Sequence, residues 1–150
     1  MSQAMIGWGT YLKRGNGATP EVFTAIAELL TVTPPSNASD EVEVTHLVSA
    51  GKRKEFIQGL IDSGECAFTA NFIPTSGTQD WDTGLISLQA AGDVVNWRIE
   101  CYEDDLTTLS FYVAFAGFVK TSNLNEISAG ATKVLAGSIR CSGDVTWGDT

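Results

Sequence analysis

Apolar and polar residues alternate with a period of two along much of this chain, the pattern of strands with one buried face. From Glu65 to Phe72, Cys66, Phe68, Ala70 and Phe72 point one way, and Glu65, Thr69 and Asn71 the other. Val95, Trp97, Ile99 and Cys101 alternate with Asn96, Arg98 and Glu100. Beyond the acidic turn Glu103-Asp104-Asp105, Leu109, Phe111, Val113 and Phe115 alternate with Thr108, Ser110, Tyr112 and Ala114. Residues 132–141 supply a last strand, with Leu135, Ile139 and Cys141 on one side. Earlier, residues 40–47 set Val42 and Val44 against Glu41, Glu43 and Thr45, which predicts a half-buried strand with an acidic outer side.

The remaining segments are less regular. Residues 22–32 read as a strand broken near Thr24-Ala25 and ended by Pro34-Pro35. Residues 49–60, with Gly51 and Gly59, read as a long loop holding about a turn of helix. One helix is predicted over residues 78–91. Ser76 and Gln79 fit a capping box, Asp80 and Asp82 suit the positive end of the helix dipole, and Gly92 suits the C-terminal cap. Trp81, Leu85 and Leu88 would form its apolar stripe. Residues 1–20 read as an arm: Gly7, Gly9, Gly15, Gly17 and Pro20 interrupt any period, while Ile6, Trp8, Tyr11 and Leu12 need an apolar surface to dock on. The order predicts a mainly β domain over residues 21–142, an antiparallel β-sandwich or partly open barrel flanked by one helix, with a tail at 143–150.

Composition adjusts this picture in two ways. A chain of 150 residues is one domain by length and large enough for an unstapled core. Charged residues are only 18%, below the usual ~25%, as expected if partners cover some surface or if the sheet core is large. The formal net charge of -9 argues against a protein that grips nucleic acid by its phosphates. Cys66, Cys101 and Cys141 are far apart and form no CxxC pair, so reduced, structural thiols are expected. The N-terminus shows no charged segment followed by an apolar run, and no stretch approaches the ~18 apolar residues of a membrane span. A protein outside the secretory route, without a membrane partner, is expected.

The chain offers little catalytic chemistry. His46 is the lone histidine. The acids at 103–105 lack the spaced ligands of a calcium loop, and Asp80-Trp81-Asp82 is accounted for by a helix start. Gly15-Asn16-Gly17 is not followed by the Lys-Ser or Lys-Thr of a phosphate loop. No catalytic residue, metal or cofactor is assigned. Trp81 and Trp97 are expected in the core, and Trp8 and Trp147 at an interface; aromatic platforms also suit a non-catalytic binding module for carbohydrate or protein. The basic run Lys52-Arg53-Lys54 has two readings. It is a solvated loop face, or it pairs with acids of an adjacent copy, such as Glu41, Glu43 or the 103–105 turn.

Residues 18–142 resemble the major tail tube protein of long, non-contractile-tailed bacteriophages. The resemblance is most specific over 41–74, where an acidic E-V-T segment precedes Arg53, Glu55, Phe56, Ile57, Gly59 and Leu60. Asp62, Gly64, Glu65, Phe68, Asn71, Phe72 and Pro74 then match D-x-G-E-x-x-F-x-x-N-F-x-P. Trp97-Arg98-Ile99 and Phe115, Gly117, Phe118 and Val119 also fit, whereas Gln58 stands where the family often has proline. The resemblance implies a virion structural protein, made in the bacterial host cytoplasm and related in fold to type VI secretion tubes. It implies hexameric rings stacked into a tube, meeting tape measure, tail tip or baseplate, and terminator proteins. Double-stranded DNA would pass through the lumen without specific binding. Assembly contacts are then expected at Lys52, Arg53, Lys54, Glu55, Phe56, Ile57, Trp8 and Trp147. The candidate lumen-facing residues are Glu41, Glu43, Asn96, Arg98, Glu100, Thr108 and Ser110.

Overall fold

The alternation in the second half of the chain becomes the centre of one antiparallel sheet. A computed structural model describes residues 4–149. Its strands are β1 (Thr10–Gly15), β2 (Phe23–Ala25), β3 (Leu29–Thr33), β4 (Ala38–Glu43), β5 (Phe56–Asp62), β6 (Glu65–Asn71), β7 (Val95–Tyr102), β8 (Leu109–Leu124) and β9 (Val134–Gly148). Seven of them form a sheet in the order β2-β1-β7-β8-β9-β6-β3, and β4-β5 form a separate pair. The long β8 and β9 pair along most of their length, with register shifts after Phe115 and Val119. Shifts of this kind bend and twist a ladder. The sheet remains an open barrel with β2 and β3 at its edges.

The core is the inner face of that sheet. Leu12, Cys66, Phe68, Trp97, Ile99, Val113, Leu135 and Ile139 are all buried there. Trp97 is fully enclosed, and its indole Nε1–H donates to the carbonyl of Gly117 at 3.1 Å, which satisfies the one polar atom of the largest core side chain. All three thiols are free. Burial pushes the Cys66 thiol up to about 12, and burial likewise raises that of Cys141. Thiol reagents at pH 8 should therefore leave both unmodified in the native protein and label them once it unfolds; rapid native labelling of Cys66 would show that the core opens.

Three segments depart from the sequence reading. Residues 10–15, expected in an arm, form β1 inside the sheet between β2 and β7, because Leu12 is an apolar anchor and β7 offers a free edge. The expected tail is likewise strand as far as Gly148, and Val145 is buried. Of those two terminal segments, residues 1–3 and 150 lie outside the described residues. The helix, α1, spans only Leu85–Ala91. Its start is delayed because Asp80 Oδ1 accepts the N–H groups of Thr83 and Gly84, both at 2.8 Å, in a turn of its own. Gly84 presses so closely that a Cβ there would stand 2.3 Å from the Asp80 nitrogen. Trp81 consequently points outward, 61% exposed, while Leu85 and Leu88 are buried and Gly92 caps the helix in the left-handed conformation as expected.

Candidate assembly surface

The segment expected as a loop with a turn of helix, 49–60, holds that turn but becomes strand from Phe56 onward. Only Ala50–Lys52 makes a short 3-10 turn, and β5 pairs with β4 through Val42–Ile57, Glu43–Phe56 and Glu41–Gln58. The run Phe56-Ile57-Gln58-Gly59-Leu60-Ile61 has no clean alternation, which is why periodicity missed it. Directly paired residues of antiparallel strands share a face, so Val42 and Ile57 lie on one side and Phe56 and Glu43 on the other. Neither side is covered. Every residue of β4 is exposed, and within β5 only Gly59 is partly sheltered. The expectation of a half-buried β4 is thus not met within one chain: Val42, Phe56, Ile57, Leu60 and Ile61 all face solvent.

The root of this hairpin is fixed. Arg140 Nη2 donates to both carboxylate oxygens of Asp62 at 2.8 Å, and Asp62 Oδ1 also accepts the Gly64 N–H. The hydrogen bond from Arg140, then that from Gly64, holds the Asp62 carboxyl below its ordinary value. Gly64 has φ +75°, and a Cβ there would lie 2.7 Å from the Ser36 carbonyl oxygen, so this turn needs glycine.

The tip is braced internally. Ser49 Oγ donates to Glu55 Oε2 at 2.9 Å, the Glu55 N–H donates to Thr45 Oγ1 at 2.8 Å, and His46 Nε2 lies 3.6 Å from the same carboxylate. Glu55 is therefore a strut of the hairpin within the single chain. Lys52, Arg53 and Lys54 are exposed and form no ion pair among the described residues. Leu47 and Val48, which the sequence did not single out, stand beside them and are almost wholly exposed. Trp8 and Trp147 are also more than half exposed, Trp147 on β9 opposite Val113.

The polar face of β7 differs from an open acidic surface. Glu100 is only 6% exposed: Lys13 Nζ lies 2.5 Å from its Oε2, and the Tyr102 hydroxyl donates to that oxygen at 2.7 Å. Arg98 approaches the carboxylate to 3.3 Å without hydrogen-bond alignment, leaving its Nε buried and unbonded. Its guanidinium instead lies over the Tyr112 ring, 4.0 Å from the centroid. Asn96 donates to Glu21, and Ser110 is partly sheltered. Thr108 closes the hairpin turn by donating Oγ1–H to Asp105 Oδ2. Glu41 and Glu43 are exposed as expected, but Glu100 is neutralised beneath Lys13 and offers no free charge.

Residues 8–142 match the model of the lambda phage tail tube protein family. The chain belongs to that family. Curated proteins give no match. The fold is shared with a chain of the sheath-tube complex of an extracellular contractile injection system, PVC, in its extended state: TM-score 0.77, 12% identity, covering 100% of this chain and 95% of the other. It is shared with the tail of an empty gene transfer agent particle of C6 symmetry, at TM-score 0.69 and 17% identity over 97% and 99% of the two chains. Hcp1 from Flavobacterium johnsoniae is more distant, at TM-score 0.54 and 11% identity over 94% and 95%. This tail tube protein is a structural component of a virion tail.

Proposed function

We propose that this tail tube protein assembles into hexameric rings that stack into the conduit for DNA, and that the β4–β5 hairpin makes contacts between subunits and rings. One observation carries the reading: a hairpin fixed at its root by Asp62, Gly64 and Arg140 presents apolar residues on both faces and is covered on neither. A two-stranded ribbon is marginal alone in water, and an exposed apolar patch of this kind marks an interface. The free edges of β2 and β3 point the same way, since pairing across a head-to-tail ring would remove them. Six subunits are supported by the C6 symmetry of the similar gene transfer agent tail.

Similar folds in a baseplate, a terminator and a tube cap support tail tip and terminator proteins as neighbours, and a tape measure protein within the tube completes the proposed set of partners. The net charge of -9 favours DNA passage without adhesion, because DNA carries about one charge per 1.7 Å of axis. Glu41, Glu43, Asn96 and Ser110 are candidates for the lumen, with Arg98 held in its aromatic stack. The role is structural, requires no cofactor, and begins in the bacterial cytoplasm where virions are built.

Negative-stain electron microscopy across a concentration series should show tubes of uniform width. Phe56→Ala and Arg53→Glu should give folded monomers that do not polymerise, since both side chains are exposed in the single chain. Normal tubes from both variants would remove the hairpin from the assembly mechanism.

A further inference from the structure

We propose that the tip of the hairpin, residues 47–54, seats in a groove on a second copy of this chain, between its N-terminal segment and its β7–β8 turn. The inference rests on the assembly reading above and names the receptor for that tip. The groove holds about 730 Å3, and its lining includes Met5, Ile6, Trp8, Tyr102, Glu103 and Asp104. Through Trp8 it adjoins a second groove of about 540 Å3, which runs past Leu30, Val32 and Phe111 at the open side of the barrel.

Two independent properties match the tip to this place. The first is apolar. Leu47 and Val48 are almost fully exposed at the tip, and Ile6 and Trp8 are 77% and 55% exposed in the groove, so neither surface is covered by the described residues of the single chain. The second is charge. Lys52, Arg53 and Lys54 form no ion pair among the described residues, and neither do Glu103 and Asp104. Asp105 is committed elsewhere: it accepts hydrogen bonds from the Thr107 and Thr108 N–H groups and the Thr108 hydroxyl, which keeps the acidic turn in shape. Three cations with two apolar side chains would thus meet two carboxylates that form no ion pair among the described residues, beside the Trp8 and Tyr102 rings. The β7–β8 acids also lie within a protein whose overall charge would repel its own copies, so a local opposite pair sets register as the copies approach. Exposed charges are screened beyond about 8 Å at physiological salt, so tube growth should slow as salt rises.

The test is charge reversal with rescue, read by sedimentation and negative-stain microscopy on the full chain. Arg53→Glu and Asp104→Arg alone should each cut polymer at least tenfold at fixed concentration. The double variant carries both reversals, so a Glu tip meets an Arg-bearing groove, and it should recover most of the polymer. Leu47→Asp should block growth without rescue. Wild-type tubes together with a double variant no better than its singles, or with Asp104→Arg assembling normally, would overturn the docking while the assembly reading stands. The groove would then be left to another occupant, such as a tail tip or terminator protein. Wild-type protein that stays monomeric across the series would defeat the assembly reading and the docking with it.

Discussion

Gln79→Leu should destabilise the folded chain by about 3–5 kcal/mol while leaving its outer surface unchanged. The Gln79 side chain is fully buried. Its Oε1 accepts the Ile73 N–H at 2.8 Å, and its Nε2 donates to the carbonyls of Ala27 and Asn71 at 2.7 and 3.0 Å. One amide thereby ties the turn before β3 and the end of β6 to the loop leading into α1. Leucine has similar volume but no polar atoms, so it strands one donor and two acceptors away from water. Each costs about 1–3 kcal/mol, less whatever relaxation recovers. Against a typical domain stability of ~5–15 kcal/mol this is a large fraction, and the melting temperature should fall by roughly 10 °C or more. Urea or thermal unfolding monitored by circular dichroism gives the number. A loss under about 1 kcal/mol would mean that the backbone groups find other partners.

Glu100→Gln should have the second largest effect, about 2–3 kcal/mol, with a distinctive pH dependence. Removing one member of a buried ion pair costs about 3–5 kcal/mol; Lys13 and Arg98 are each roughly one-quarter to one-fifth exposed, so part of their charge can return to water. Burial alone would raise the Glu100 carboxyl, but hydrogen bonds from Lys13 and Tyr102 outweigh it and hold it below the ordinary value of 4.5. A carboxyl lowered on folding contributes fully above its unfolded value, and that contribution is lost as pH falls through the lower folded value. The gap between wild type and variant should therefore be widest near neutrality and close in acid below about pH 4. Lys13 runs the other way. Burial lowers it, yet the bonds to Glu100 and Tyr102 raise it above 10.5, so its share persists below that value and disappears only in strong alkali. Unfolding titrations at pH 7 and pH 3 decide the matter: an equal gap at both would place the cost in packing and not in charge.

These two residues show where sequence reading ends. The sequence pattern gives Gln79 a local role, closing a capping box opened by Ser76, but the helix starts from Gly84 with no side-chain cap bond, so that box does not form. The Gln79 N–H bonds instead to the Ser76 carbonyl in a turn ahead of the helix, and the Gln79 side chain reaches partners up to 52 positions away, which no local pattern encodes. The alternation of its neighbours places Glu100 on a polar strand face. That placement is right for the face, since Trp97 and Ile99 are in the core and Glu100 is not among them. Its burial comes from Lys13 and Tyr102, and Lys13 arrives with β1, a strand drawn into the sheet by pairing with β7 across some 85 residues.

The sequence by itself determined the period-two strands β6 and β7, the first halves of β8 and β9, the acidic turn between β7 and β8, the cap at Gly92, and the antiparallel class of the fold. Burial of alternate side chains is a local requirement, so it is written locally. It also carried the family, through motif residues clustered in 41–74 and a match that spans 8–142. Tertiary structure alone decided the rest: that β1 enters the sheet, that Glu100 is neutralised, and that β4–β5 stands clear of the core. The physical reason is common to all three. An apolar face reads the same in sequence whether its own chain or another copy covers it, and only the folded chain shows which faces are still bare.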